Sequence, residues 1–384
     1  MVQVGAQVTG VRSKPSKQDA LPACAVLLAG GRGTRFWPRS RTRTPKQLLN
    51  IVGSETMVRQ TLARLSPLLS ARSAWIVTNK EQGPAVRREL LEMPPSHILA
   101  EPVGVNTAAA IGLAAIHLIR EHGDAVMAVL PSDAYIADVA TYRKLVQAAL
   151  DLARTPGNLV VLGIQPTRPE TGYGYIERGA VASRPRGVEA YAVRRFTEKP
   201  ALPEARSYVE SGNYLWNAGM FFWRASTFME NLQRFLPATH AALQELAKSL
   251  GTRRYTSALH RIYPQLQNIS VDYAVMEPAT RDAEQSRVFV IPANIGWSDI
   301  GSWAAVYELL AAKPGANVSE GEFFALDAGG NYFWSRKKLV AAIGVNDVVL
   351  VETDDALLLC SRERAQDVGK IVKWLDEKSK RKLV

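Results

Sequence analysis

At 384 residues the chain is long enough for one large α/β domain and a smaller second one, and 47% apolar with 22% charged residues supports a conventional buried core. No apolar run approaches the roughly 18 residues of a membrane-spanning helix, and residues 1–22 lack the apolar centre of a secretory signal. The formal net charge of +11 is local: residues 1–50 hold nine Lys/Arg against one acid, residues 370–384 hold six against two, and the rest is near neutral. A nucleic-acid binder, which would interleave aromatic with basic side chains, is therefore not expected.

Residues 1–22, rich in Ser, Lys and Gln, read as a disordered leader. Residues 23–29 form a continuous apolar strand of the kind buried in a parallel sheet. A helix follows from Ser54, its expected N-cap, to Leu65, with Met57, Val58, Thr61, Leu62 and Leu65 on one face. Strands at 74–78, 98–100, 125–130 and 159–164 alternate with helices at 81–91, at 106–117 (capped by Asn106) and at 141–153. That alternation predicts right-handed βαβ units and a mainly parallel sheet. After residue 165 the pattern loosens into short strands at 173–177, 188–196 and 220–223 and helices near 203–211, 225–235 and 238–249, read as a second lobe over the sheet's carboxyl edge. A helix at 301–311 closes the main domain, 23–314, at Lys313-Pro314-Gly315. Within 315–384, short strands at 322–325, 331–334, 339–343, 348–352 and 356–360 precede a helix at 364–380, so a small β-rich unit is expected. Its basic end, KSKRK, reads as solvated helix terminus. Cys24 and Cys360 lie in apolar strands and read as core residues in a reducing cytoplasm.

From 27 to 49 the chain reads LLAGGRGTRFWPRSRTRTPKQLL. Gly30, Gly31 and Gly33 let backbone N–H groups approach phosphate oxygens, and Arg35, Arg39, Arg41, Arg43 and Lys46 supply countercharge. No Gly-Lys-Ser/Thr follows, which excludes a Walker A loop, and Phe36 stands where the third glycine of a dinucleotide fingerprint belongs. The Gly30–Arg35 run with Thr34 is read as a phosphate cradle. Arg35 and Lys46 are its chosen cations, because each follows a residue that fixes the backbone, Gly33 and Pro45. Asp133 ends a buried strand, where α/β sheets place ligands, and Asp299 lies in a Trp-Ser-Asp-Ile-Gly run. Two carboxylates converging on a polyphosphate suggest Mg²⁺ or another divalent cation. Plainer readings make Asp133 a loop cap and Asp299 the N-cap of the helix from 301. Glu198 and Lys199 suit a sugar hydroxyl and a phosphate, or a surface ion pair before Pro200. Asn217 and Gly219, before an apolar strand, suit close approach to a sugar ring, or a plain turn; Tyr173-Gly174-Tyr175 is similarly open, and Asp272 reads as a helix cap. The five histidines are scattered, and no HExxH, Gly-x-Ser-x-Gly or His/Cys cluster occurs.

These segments resemble the mannose-1-phosphate guanylyltransferases among the sugar-phosphate nucleotidyltransferases. The matching runs, in order across 23–384, are the glycine-loop motif, EPVGVNTAAAIGLAA, VLPSDAYI, TGYGYIE, FTEKP, YLWNAGMFFW, DYAVME and NIGWSDIGSW, followed by a β-helix-like stretch from Phe323 to Cys360. The resemblance implies a GT-A/Rossmann-like nucleotidyltransferase domain, a small C-terminal β-helix-like domain, and the reaction of GTP with α-D-mannose 1-phosphate to give GDP-mannose and pyrophosphate. It implies Arg35 and Lys46 on the nucleotide phosphates, and Asp133 and Asp299 as metal ligands. It implies Glu101, Pro102, Asn106 and Thr107 near the guanosine, and Gly174, Glu198, Lys199 and Asn217 around the sugar phosphate. Val105 stands where the family often has Arg, and Ala134 where it often has His. Bifunctional relatives carry a further cupin-type isomerase domain, and isomerase activity is not expected here. The alternatives are another nucleotide or sugar 1-phosphate, or a non-catalytic homologue that senses sugar nucleotide. The β-rich unit, with strand edges to cover, suggests a homodimer.

Overall fold

A computed structural model describes residues 21–282 and 287–384. The expected leader lies almost wholly outside the described residues. In chain order the first half comprises β1 (Ala23–Leu28), α1 (Met57–Leu65), β2 (Ala74–Asn79), α2 (Gly83–Glu89), β3 (Ile98–Glu101), α3 (Asn106–His122), β4 (Val126–Pro131), β5 (Tyr135–Ile136), α4 (Val139–Ala153) and β6 (Leu159–Ile164). Then come β7 (Gly174–Ser183), β8 (Ala190–Glu198), α5 (Leu202–Ser211), β9 (Tyr214–Arg224), α6 (Ala225–Phe235), α7 (Pro237–Ala247), α8 (Tyr255–Ile262), α9 (Glu277–Arg281), β10 (Val288–Pro292), β11 (Trp297–Ser298) and α10 (Trp303–Leu310). The C-terminal unit holds β12 (Val318–Glu320), β13 (Phe323–Leu326), β14 (Tyr332–Trp334), β15 (Val340–Ile343), β16 (Val348–Glu352), β17 (Leu357–Ser361) and α11 (Val368–Glu377).

Nine strands form one sheet in the order β3-β2-β1-β4-β9-β6-β10-β8-β7. The expected parallel βαβ units are present at β3-β2-β1-β4. The sheet as a whole is mixed rather than mainly parallel, because β9 inserts antiparallel between β4 and β6. For the same reason residues 174–224 are not a separate lobe: β7, β8 and β9 extend the main sheet. β9 begins six residues before the expected 220, and its register against β6 shifts between Val161 and Gly163, so Asn217 to Phe221 is a bulge within a strand, not a turn before one.

Alternate side chains of β1 enter different cores, as the two-residue period of a strand requires. Cys24 and Val26 pack with α3, whereas Ala25 and Leu27 pack with α1 and α4. Local signals displaced several boundaries. Thr56, not Ser54, caps α1 by accepting from Arg59 N. Asn106 is the first residue of α3, at φ 71°, and its Oδ1 accepts from Thr107 N. Ser302 occupies the N-cap position of α10, so Asp299 is not its cap.

The C-terminal strands stack parallel as β12-β14-β16 and β13-β15, with β17 antiparallel on β16. A third core joins this unit to the glycine-rich loop: Phe36, Trp37 and Ile51 pack with Trp303, Tyr332, Val349, Val368 and Leu375. Lys378, Lys380 and Lys382 of the basic end are exposed, as expected, and the contacts fall on the two residues that follow it. Trp37 Nε1 donates to the Leu383 carbonyl at 2.8 Å, and Val384 packs against the same core. Cys24 and Cys360 are free thiols.

Candidate active site

A cavity of about 380 Å³ opens at the carboxyl ends of β1 and β4, where the strand order of an α/β sheet leaves a crevice. Gly30, Gly31, Gly33, Glu101, Asn106, Thr107 and Asp133 line it. Gln47 builds the loop from beneath: its amide donates to the Ala29 carbonyl at 2.8 Å and the Gly31 carbonyl at 3.1 Å. With those carbonyls turned to Gln47, the N–H groups of Gly30 and Gly31 find no acceptor among the described residues, which is the arrangement an anion cradle needs. Gly33 sits at φ 60°, and a Cβ there would collide with Lys46 Cβ and lie 2.9 Å from Lys46 N. Only glycine lets the loop press so closely on Lys46.

Lys46 is 5% exposed. Its ammonium donates to Asp133 Oδ2 at 3.0 Å and to the Asp299 carbonyl at 2.6 Å. Asp299 Oδ1 accepts from the Tyr173 hydroxyl at 2.8 Å. Ile300, next in sequence, sits at φ 42°, a left-handed conformation that costs a β-branched residue on the order of 1–3 kcal/mol and that clusters at functional sites. Lys46 thus meets the carboxylate of Asp133 and the main chain of Asp299, while the Asp299 carboxylate turns to Tyr173. Both aspartate side chains are oxygen donors of the kind Mg²⁺ prefers, and of the two only Asp133 lines the cavity. No group of three or more His, Cys, Asp or Glu able to hold a metal by themselves occurs among the described residues.

Glu101, Asn106 and Thr107 are braced by one distant segment. Tyr263 donates to Glu101 Oε1 at 2.7 Å, Asn106 Nδ2 to Asn268 Oδ1 at 3.3 Å, and Val271 N to Thr107 Oγ1 at 2.8 Å. Burial pushes the Glu101 carboxyl up to about 7, although the Tyr263 hydrogen bond opposes the shift. Pro102 is buried and does not line the cavity.

The same segment continues to a second cluster. Asp272 Oδ1 accepts from Asn217 Nδ2 at 2.8 Å, and Asn217 Oδ1 accepts from Gly219 N at 2.9 Å. Glu198 Oε1 pairs with Lys199 Nζ at 3.0 Å. A Cβ on Gly174 would stand 2.5 Å from Glu198 Oε2 and 3.2 Å from Asn217 Cβ, so glycine there lets the three residues converge. Burial, and then the Asp272 charge, raise the Glu198 carboxyl to about 7; burial also raises Asp272. The two clusters meet at Tyr173, whose hydroxyl reaches Asp299 and whose carbonyl accepts from Lys199 N at 3.2 Å.

Arg35 does not line the cavity. Its Nη1 donates to Gln366 Oε1 at 2.6 Å. Three other loop arginines serve the interface with the C-terminal unit: Arg32 pairs with Asp376 at 3.4 Å, Arg41 with Asp355 at 2.8 Å, and Arg39 lies 4.2 Å over the Trp334 ring while bonding Asn50. The sequence assigns no role to Gln47 or Tyr263, leaves Tyr173 open between sugar approach and a plain turn, and marks Asp272 as a cap. Gln47 and Tyr173 were signalled only by adjacency to Lys46 and Gly174.

Comparison with known proteins agrees with this architecture. Residues 24–314 match the family model of nucleotidyl transferases, and residues 321–375 match the MannoseP isomerase/GMP-like beta-helix domain. The chain belongs to the nucleotidyl transferase family. Within it, the chain is 41% identical over 359 residues to the xanthan biosynthesis protein XanB of Xanthomonas campestris, covering 92% of this chain and 73% of that protein. It is 40% identical over 355 residues to a mannose-1-phosphate guanylyltransferase of Escherichia coli, covering 92% and 74%. A solved structure described as a mannose-1-phosphate geranyltransferase from Thermus thermophilus superposes with a TM-score of 0.83 at 34% identity, covering 93% of this chain and all of that one.

Proposed function

We propose that the chain transfers GMP from GTP to α-D-mannose 1-phosphate, giving GDP-mannose and pyrophosphate. The observation that carries this reading is Lys46, held between Asp133 and Asp299 at a glycine-lined cavity, with a second polar cluster joined to it through Tyr173. The relatives named above support the choice of nucleotide and sugar.

A sugar-phosphate oxygen is already ionised at neutral pH, so it attacks the α-phosphorus of GTP directly. The new O–P bond forms as the α–β anhydride bond breaks, and the electron pair leaves with pyrophosphate. No general base and no covalent enzyme intermediate are needed, so the protein's work is positioning and charge stabilisation. Gly30, Gly31 and Gly33, with Thr34, cradle the phosphates through backbone N–H groups. Lys46 and Arg35 stabilise the departing pyrophosphate. Glu101 accepts from the N–H donors of guanine, with Pro102, Asn106 and Thr107 enclosing the nucleoside. Glu198 and Asn217 take sugar hydroxyls, Lys199 meets the sugar phosphate, and Gly174 and Gly219 leave room for the ring. Asp133 and Asp299 would hold Mg²⁺ or another divalent cation, which neutralises charge on the reacting phosphates when bound.

The chain's small-molecule partners on this reading are GTP and mannose 1-phosphate, its protein partner is a second copy of itself, and its setting is the cytoplasm. No described helix is long and apolar enough to cross a membrane. Pyrophosphate release over a grid of nucleotides and sugar 1-phosphates tests the reading. The highest kcat/KM is expected for GTP with mannose 1-phosphate, and a clear preference for another sugar overturns the substrate assignment.

A further inference from the structure

Among the loop arginines that hydrogen-bond the C-terminal unit, Arg35 stands apart in what holds it. Arg32 and Arg41 also reach hydrogen-bond partners in the C-terminal unit, and both meet carboxylates, Asp376 and Asp355. Arg35 meets the side-chain amide of Gln366 at 2.6 Å, 331 residues away in sequence. A carboxylate at that place would cancel the guanidinium charge. A neutral carbonyl oxygen fixes its direction and leaves the charge, and the remaining N–H donors, for an anion.

The guanidinium is held next to the Asp299 segment. A Cβ on Gly301 would lie 3.5 Å from Arg35 Nη1 and 2.9 Å from Asp299 Oδ2, so the guanidinium borders the Asp299 segment. The start of α11 closes from the other side: a Cβ on Gly369 would lie 3.3 Å from Thr34 Oγ1 and 3.8 Å from Arg35 Cγ. The third core, with Phe36 and Val368 inside it, holds these two backbones together.

We propose that Gln366 is a positioning residue of the nucleotidyl-transfer site, holding the Arg35 guanidinium beside Asp299 with its charge free for the nucleotide phosphates. The C-terminal unit thereby completes the site rather than merely flanking it. This rests on the phosphate role given to Arg35 above.

The test is a double-mutant cycle in the full chain, reading kcat, KM for GTP and for mannose 1-phosphate, KM for pyrophosphate in the reverse reaction, and melting temperature. Arg35→Ala is expected to lower kcat about 100-fold. Gln366→Ala is expected to lower kcat about tenfold through misplacement of Arg35, with KM for mannose 1-phosphate and melting temperature unchanged, and to have no further effect in the Arg35→Ala background. Gln366→Glu should be slower than Gln366→Ala and should raise the KM for pyrophosphate, because a carboxylate competes with phosphate for the guanidinium. Gln366→Ala at the native rate, or an equal loss with and without Arg35, overturns the proposal, as does native activity in Gln366→Glu. Arg35→Ala at the native rate overturns the phosphate role of Arg35 as well, so the two failures are told apart.

Discussion

The hydroxyl of Tyr173 donates to Oδ1 of Asp299 at 2.8 Å, on a residue whose carbonyl already accepts from Lys46. Burial, and then the Asp299 charge, push the Tyr173 hydroxyl well above its ordinary range, so it stays a proton-bearing donor at every working pH. A hydrogen bond to a charged group contributes on the order of 1.5–3 kcal/mol. Tyr173→Phe should therefore lower kcat about 10- to 100-fold by releasing Asp299, with the fold intact by circular dichroism. Native turnover in that variant would leave Tyr173 without its role.

Asp299→Ala removes a carboxylate assigned to the metal and should cost on the order of 10²-fold or more in kcat. Its apparent requirement for divalent cation should shift to higher concentration. Near-normal turnover at native cation levels would remove Asp299 from the ligand set.

Gly33→Ala forces a side chain into Lys46 at a positive φ. The left-handed conformation alone costs about 1 kcal/mol for a residue with a Cβ, and the collision adds to it. The expected result is a lower melting temperature with a larger, separate fall in kcat as Lys46 is displaced. A stable, fully active Gly33→Ala enzyme would contradict the close approach.

Glu101 holds its proton to about pH 7 in the folded chain, against an ordinary value of 4.5. A raised folded value means that the group's contribution to stability is fully present below pH 4.5 and is lost as pH rises to 7. Glu101→Gln should thus gain stability relative to the native chain at pH 8 more than at pH 5, by up to about 3 kcal/mol. The same change should raise the KM for GTP about tenfold at pH 8, where the native carboxylate accepts from guanine. Native KM for GTP should itself rise as pH falls below 7. Thermal melts and steady-state kinetics at the two pH values check both signs.

The outer faces of the C-terminal strands expose Ile343 and Leu359 at 66% and 64%, beside Phe324, Leu326 and Leu357. An apolar surface of this kind on a set of open-edged strands is expected to be covered by a second copy. Light scattering should give a dimer mass at micromolar concentration, and Ile343→Lys with Leu359→Lys should give a monomer. A monomeric native chain would reject the dimer.

Much of the architecture was written in local pattern. Continuous apolar runs such as ACAVLL and VMAVLP gave away the parallel strands β1 and β4, because a strand buried on both faces has no polar positions to spare. The antiparallel half was harder to see. β9 carries Asn217 and Gly219 in its own interior, and those residues read as a turn until the bulge against β6 accounts for them. The arginines misled in a different way. Their clustering marked the loop as a contact surface for negative charge, but Asp355 and Asp376, more than 300 residues on, take two of them. Asp133, Asp299 and Lys46 could be singled out as candidates by type and setting. Their mutual arrangement, and the bracing by Tyr263, Asn268 and Val271, depends on chain crossings that no local pattern encodes.

The bond from Trp37 to Leu383 has a consequence for biogenesis. The glycine-rich loop is made early in synthesis, yet the core beneath it draws on residues more than 300 positions further along the chain. Such a long-range closure is slow and comes late. A chain synthesised only as far as the nucleotidyl transferase domain therefore carries the glycine motif without the core beneath it.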